Sequence, residues 1–191
     1  VRCALGWACW KTYVGRPETD MDRIDAMTQV ANGLSEEAVS RYPEALAVYE
    51  ANLAMNRRFG RSEDSNAILA VQTNIAYTLS LLDRDEEALE LERTIYRQRM
   101  ASRGKFNVHT IRAALNLCVS LTNLERFEEA RTLAQKTIPA VRCALGPDTA
   151  RSVLRPLRPH HHDPGRHRQR KAHLLHRHCA SQACGIRHFP Y

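Results

Sequence analysis

The chain has 191 residues, a formal net charge of +7 and six cysteines at scattered positions. This length allows one domain with a sizeable core, no apolar stretch approaches the length of a membrane span, and the first residues carry no convincing cleavage site of a secretory signal. Because the cysteines show no disulfide framework, we expect free thiols in a reducing, cytoplasmic setting. The positive charge is confined to residues 151–191, which hold nine Lys and Arg against one acid, whereas residues 1–150 hold 19 against 20.

Residues 1–14 are apolar and are interpreted as the end of a preceding helix. Their first six letters, VRCALG, recur at residues 141–146, where they close a long predicted helix. The chain also starts with Val and not with Met. We therefore expect the sequence to begin inside a helical array, as a fragment or an incomplete gene product would.

Residues 15–150 are predicted to form tandem helical pairs. Apolar residues at helical spacing, such as those from Met21 to Leu34, alternate with polar corners, and Gly60 follows a basic last turn, where helices commonly stop. In the second pair, acids open the second helix and arginines close it, as the helix dipole favours. The three predicted pairs cover residues 20–59, 65–102 and 108–145.

The pairs share a motif in which an Asn, an aliphatic residue and a small residue precede a corner and Glu-Glu-Ala. Residues 73–88 (TNIAYTLSLLDRDEEA) and residues 115–130 (LNLCVSLTNLERFEEA) carry it 42 positions apart. In the first pair the motif is aligned with residues 32–35, which gives a corner two residues shorter than the others. A period of this size predicts a repeat architecture. Small residues would let the helices of each pair approach closely, at Ser35, Ala76 and Cys118 in the first helices and at Ala45, Ala88 and Ala130 in the second.

These residues resemble tetratricopeptide repeats of the roughly 42-residue type found in kinesin light chains. The features that carry the resemblance are Asn74-Ile75-Ala76 with Glu86-Glu87-Ala88, the matching residues of 116–130, and a connector at residues 145–149. Asp85 departs from the pattern, since the family has an aromatic residue before Glu-Glu-Ala. The resemblance covers about residues 15–150 and implies an all-α solenoid of about three antiparallel helix pairs.

A fourth repeat is expected to begin at residues 147–149, but the sequence then loses the pattern. Pro156 and Pro159 fall where its first helix would run, and each would cost about 3 kcal/mol in a helix interior. Residues 151–191 are rich in Arg, His and Pro. We therefore predict a disordered basic tail or translation in a shifted frame over this part of the chain.

The first helix of each pair is expected to line the concave face of the stack. If the family geometry applies, Asn amides on this face bind the backbone of an extended peptide or a partner helix. The alternative is that Asn74 and Asn116 only bridge neighbouring helices or face water. The predicted lining residues are Gln29, Asn32 and Glu36, then Thr73, Asn74, Tyr77 and Ser80, then Arg112, Asn116, Val119, Thr122 and Asn123.

The sequence offers no recognisable catalytic motif. It contains no Gly-rich phosphate loop, Gly-x-Ser-x-Gly or His-Glu-x-x-His pattern, so we predict no enzyme and no cofactor, and Cys118 is interpreted as a packing residue. The His and Cys residues at 173–184 are too irregularly spaced for a zinc site, and no metal is expected. The run RHRQRK at residues 166–171 has the charge to bind nucleic acid, yet it lacks interleaved aromatic residues and is interpreted as a solvated tail.

We therefore predict a protein–protein interaction module, an adaptor or scaffold, that binds a peptide or partner helix without performing chemistry. Two alternatives stay open: a nucleic-acid-associated protein that uses the basic tail, and a regulatory fragment of a larger signalling protein. No membrane partner is expected. Uncapped repeat ends would expose apolar surface, so self-association is a further expectation.

Overall fold

The computed structural model describes residues 2–36 and 39–145. These residues form α-helices and turns and contain no strand. The expectations for the two tail prolines, the basic run and the His- and Cys-rich stretch lie outside the described residues. The helices are α1 (Arg2–Tyr13), α2 (Met21–Leu34), α3 (Tyr42–Arg58), α4 (Asn66–Leu81), α5 (Asp85–Arg103), α6 (Val108–Asn123) and α7 (Phe127–Leu145).

The helices stack in chain order. Contacts between helices are dominated by consecutive ones, from α1 against α2 through to α6 against α7, and short connections between packed neighbours make them antiparallel. A structure in which each element contacts mainly its neighbours in sequence is the pattern of a helical repeat array. The predicted all-α architecture of paired helices is confirmed.

The two helices of each pair meet at small side chains. Ala76 of α4 and Ala88 of α5 are both 1% exposed. In the third pair, Cys118 of α6 is fully buried, and its Sγ lies 3.7 Å from the carbonyl oxygen of Ala130 in α7. Because protein interiors are close-packed, a larger side chain at these positions would push the helices apart.

The corners within the three pairs share one construction. A residue with positive φ comes first, namely Ser40 (51°), Asp83 (58°) or Glu125 (59°). The arginine after it donates its backbone N–H to the carbonyl of a leucine in the first helix. Exposed ion pairs contribute little to stability, so this backbone bond and the left-handed residue define the corner. The same arginines form the ion pairs Arg41–Glu44, Arg84–Glu87 and Arg126–Glu129.

The first corner is longer than the other two, and the prediction of a shorter corner is wrong. The N–H of Arg41 bonds to the carbonyl of Leu34, seven positions earlier, whereas that of Arg84 bonds to Leu79, five positions earlier. The first corner therefore contains two additional residues.

The cause is the register assigned to the first helix of the first pair. Ala31 is fully buried, as Ala76 is in the second pair, whereas Ser35 follows α2 as its C-cap. Gln29, and not Asn32, therefore occupies the place of the motif Asn. Burial against the partner helix requires a small residue at the place of Ala31. No packing contact requires the polar residue two positions earlier, here Gln29, to be Asn.

The N-terminal helix α1 contacts α2 closely through a glycine. Gly6 is buried, and a Cβ atom there would lie 2.6 Å from the carbonyl oxygen of Gln29 and 3.1 Å from the Cα of Val30. Trp10 packs against the core of the first pair. Trp7 of α1 is 42% exposed. This helix therefore covers α2 and itself presents apolar surface to solvent.

Replacing Gly6 by Ala is expected to lower the free energy of unfolding by about 1–3 kcal/mol. The added methyl group meets backbone atoms of α2, which cannot rotate away as a side chain can. Urea unfolding followed by circular dichroism measures the change. Gly15→Ala is the matched control, because nothing lies within 4 Å of a Cβ at Gly15. An equal loss of stability in both variants would contradict the proposed close contact.

Replacing Glu125 by Gly is expected to raise the free energy of unfolding by about 1 kcal/mol. Glu125 has a φ of 59°, a conformation that glycine adopts without the Cβ clash of other residues. Glu128→Gly, in the first turn of α7, should instead destabilise the chain by about 0.5–1 kcal/mol. Chemical denaturation of both variants tests the sign, and destabilisation by Glu125→Gly would show that the corner is not strained.

Candidate functional site

Partly exposed side chains lie along one side of the first helices α2, α4 and α6. Leu34, Leu79 and Leu121 occupy equivalent places, since each accepts the corner hydrogen bond, and the other positions align from them. The resulting rows, here named the first-helix stripe, contain only exposed or half-buried residues. They are Asp25, Ala70 and Arg112; Gln29, Asn74 and Asn116; Asn32, Tyr77 and Val119; and Glu36, Leu81 and Asn123. Glu36 follows the end of α2 and is aligned by residue count alone.

The second row of the first-helix stripe consists of three side-chain amides. Gln29 is exposed, and Asn74 and Asn116 are half-buried. Among residues 2–36 and 39–145, none of these amides makes a hydrogen bond to another group. Bridging of neighbouring helices by Asn74 and Asn116 therefore finds no support in the described residues, and the row has donors and acceptors available for water or a ligand.

The third row differs from the second because one of its members is bonded. Asn32 accepts a hydrogen bond at its Oδ1 from the hydroxyl of Tyr49 in α3, at 2.6 Å. Tyr77 and Val119 are half-buried in the same row. This row therefore offers apolar surface beside the amides, and Asn32 is held in place by the second helix of its own pair.

Three predicted lining residues do not belong to the first-helix stripe. Ser80 is 5% exposed and donates a hydrogen bond to Asp85 Oδ1 at 2.6 Å, so it faces α5 instead of solvent. Thr73 and Thr122 are half-buried like the asparagines but occupy other rows, and their hydroxyls each donate to a carbonyl four residues earlier in their own helix, at 2.7 and 2.8 Å. The other nine lie in the stripe: Gln29, Asn32, Glu36, Asn74, Tyr77, Arg112, Asn116, Val119 and Asn123.

Sequence reasoning missed three members of the stripe, namely Asp25, Ala70 and Leu81. Each lies four residues from a member that the sequence suggested, and helical residues four apart share a face. That spacing is the signal that could have identified them. The polarity of Ala70 and Leu81 gave no such signal, since both are apolar.

The two ends of the stripe differ in charge. Asp25 belongs to the first pair, and Arg112 takes the same row in the third pair. Burial raises the pKa of Asp25, although Arg61 lowers it and Asp22 adds to the rise. A ligand lying across all three first helices would therefore meet an acidic group at one end and a cation at the other.

A buried carboxyl group lies between α5 and α6, away from the stripe. Glu92 is 8% exposed, and the Ser120 hydroxyl donates to its Oε2 at 2.6 Å. Burial raises the pKa of Glu92 to about 7, although the hydrogen bond from Ser120 lowers it and Asp85 adds a smaller rise. Glu92 therefore binds or releases a proton near neutral pH without leaving the core.

Cys118 has the properties of a packing residue. It is fully buried, and burial raises the pKa of its thiol to about 12, with a smaller contribution from Glu92. A thiol of this kind stays protonated and is a poor nucleophile. Nor do the described residues bring together three or more His, Cys, Asp or Glu side chains that could hold a metal ion.

Comparison with known proteins identifies the fold. No protein-family model matches the chain, and no curated protein matches its sequence. Its structure is similar to the crystal structure of BtubC (BKLC) from P. vanneervenii, with a TM-score of 0.64 over 100% of this chain and 93% of that one, at 12% sequence identity. The fold is a tetratricopeptide-like array of helices. At this identity the similarity defines the fold alone. Within the part of the chain that the structure describes, no helix is long and apolar enough to cross a bilayer.

Replacing Glu92 by Gln is expected to stabilise the chain above pH 7. The folded carboxyl keeps its proton up to about pH 7, whereas the unfolded one releases it near its ordinary value of 4.5, so wild-type stability falls as the pH rises between these values. Glutamine keeps the acceptor for Ser120 and does not ionise. The free energy of unfolding should rise by about 3 kcal/mol at pH 8 and by less than about 1 kcal/mol at pH 5.

Urea unfolding of both proteins at pH 5 and pH 8 measures this difference. Glu86→Gln removes a charge from the exposed side of the same helix and should change the stability by no more than about 0.5 kcal/mol at either pH. A gain that is the same at both pH values would mean that the proton on Glu92 does not contribute.

Proposed function

We propose that the chain is a protein–protein interaction module that binds an extended peptide or a partner helix along the first-helix stripe. The observation that supports this best is the row formed by Gln29, Asn74 and Asn116. These amides come from equivalent places on three successive first helices, are accessible, and make no hydrogen bond within the described part of the chain. An amide can donate and accept at once, which suits the peptide groups of a bound segment.

The rows beside the amides supply the other contacts of such a surface. Tyr77 and Val119 provide apolar area, and aromatic residues are frequent anchors in interfaces. Asp25 and Arg112 place opposite charges at the two ends of one row. Charges at an interface set the orientation of a partner more than its affinity, so a segment with a basic and an acidic end would bind in one direction.

The fold and the thiol chemistry agree with this function. A tetratricopeptide-like helical fold is generally an interaction module, and repeat arrays of this kind use extended concave surfaces for binding. Cys118 has the properties of a packing residue and not of a nucleophile. The four cysteines of the described residues are free thiols, which suits the cytoplasm or another reducing compartment.

Peptide selection against the purified chain tests the proposal. A displayed library of random dodecapeptides is panned on the wild-type chain, and the dissociation constants of the enriched peptides are measured by fluorescence anisotropy. The double variant Asn74→Ala, Asn116→Ala should weaken binding about 10-fold or more, since each lost hydrogen bond contributes about 0.5–1.5 kcal/mol and about 1.4 kcal/mol corresponds to a factor of ten.

Gln135→Ala is the control, because it removes an exposed amide from α7, a second helix that contributes nothing to the stripe. This variant should keep the wild-type dissociation constant. Circular dichroism confirms that each variant is folded. Peptides that bind the double variant as tightly as the wild type, or a selection that enriches none, would contradict a binding surface on the first helices.

A further inference from the structure

The second half of α5, the connection after it and α6 carry positive charges and no negative one. Residues 93–124 contain six Lys and Arg and no acid. Three of these arginines, Arg99, Arg103 and Arg112, make no ion pair and no side-chain hydrogen bond with the described residues. By contrast, Arg84 and Arg126 at the neighbouring corners each pair with a glutamate. The unpaired arginines therefore lie together around the connection between α5 and α6.

Arg99 is the most unusual member of this cluster because it is buried. Its exposed fraction is 7%, and its Nη1 is fully enclosed without a hydrogen-bond partner among the described residues. A buried charge is normally paired, since desolvating it without a partner costs several kcal/mol. An enclosed N–H without an acceptor is a place where an acceptor from outside the described residues would be stabilised.

The neighbouring groups increase the positive potential at this place. Arg99 and Arg103 lie in the last turns of α5, and His109 and Arg112 lie in the first turns of α6. Burial, then Arg103 and Arg112, lower the pKa of Arg99, and burial followed by the three arginines lowers that of His109. The N-terminal end of a helix such as α6 adds a partial positive charge.

The helices packed around the α5–α6 connection form no ion pair with these arginines. Near the start of α4, Glu63 is paired with Arg57 at 2.6 Å, and Asp64 is bonded to the Ser62 hydroxyl. The second half of α7, which packs on the start of α6 through Val141, has no acid from residue 130 to residue 145. Among the described residues, no carboxylate pairs with Arg99, Arg103 or Arg112, and none contributes to the shift in the pKa of Arg99.

We propose that the end of α5 and the start of α6 form a binding site for one oxyanion, a phosphate or carboxylate group, held by Arg99 with Arg103 and Arg112 beside it. A guanidinium binds either group through paired N–H donors. The site goes beyond the peptide-binding function and does not rest on it, because Arg99 belongs to a second helix and lies outside the first-helix stripe. Arg112 takes part in both surfaces, so a bound peptide is one source of the anion.

Thermal unfolding of the full chain at pH 7.5 tests the site. Sodium phosphate should raise the Tm by about 2–4 °C over sodium chloride of equal ionic strength, the shift that about 1 kcal/mol of binding produces in a chain of this size. Arg99→Met keeps the length of the side chain and removes the charge, and it should abolish the shift. Arg97→Met removes the same charge from the exposed face of α5 and should retain it.

A second variant and a second anion complete the test. If Arg99→Met does not fold, loss of the phosphate shift in Arg112→Met with retention in Arg97→Met supports the site equally. Stabilisation by phosphate alone assigns a phosphoryl group, and stabilisation by sodium acetate as well assigns a carboxylate. No shift with either anion, or an equal shift in Arg97→Met and Arg99→Met, would overturn the proposal, because general screening of positive charge would then explain the effect.

Discussion

The close approach of two helices at a pair of small residues is the contact on which the rest of this structure depends. Where Cys118 lies against the backbone of Ala130, and where Ala76 and Ala88 are both buried, the helix surfaces interlock and each pair becomes a unit of fixed geometry. Larger side chains there would lose this interlocking. Stacking of three such units then determines which sides of the first helices face other helices and which stay accessible.

The first-helix stripe is a consequence of this packing. A first helix is covered by its own second helix and by that of the preceding pair, or by α1 in the case of α2, so only a narrow band of each first helix stays uncovered. Because the residues of this band stay partly exposed, amides, an aromatic residue and charges can occupy it. Each corner hydrogen bond joins a corner to its own first helix at the same place in all three pairs, so the amides occupy equivalent positions on the three helices.

The second pair differs from its neighbours by placing ionisable groups where they have neutral ones. Counting from the corner arginines, Glu92 takes the place of Tyr49, and Arg99 takes that of Asn56. Asn56 is fully buried and satisfied by bonds to Asn52 and from Arg61, whereas Arg99 has a buried nitrogen without a partner. Buried charge is costly unless it is compensated. The titratable carboxyl of Glu92 and the proposed anion site at Arg99 therefore both lie in the second pair.

The sequence alone determined the repeat, the helical pairs and the all-α class of the described residues. Period, turn residues and small-residue spacing are local signals, and they act whatever the partner helix is. It placed most of the stripe for the same reason, since residues on one helical face follow a fixed spacing. It failed at Ser35 and Ser80, where a polar residue gives no indication of the direction in which it points. Only the tertiary structure decided the length of the first corner, the exclusion of Ser80 from the stripe, and the burial of Glu92 and Arg99. These depend on which neighbouring helix covers each side chain, and that is a property of the packed array.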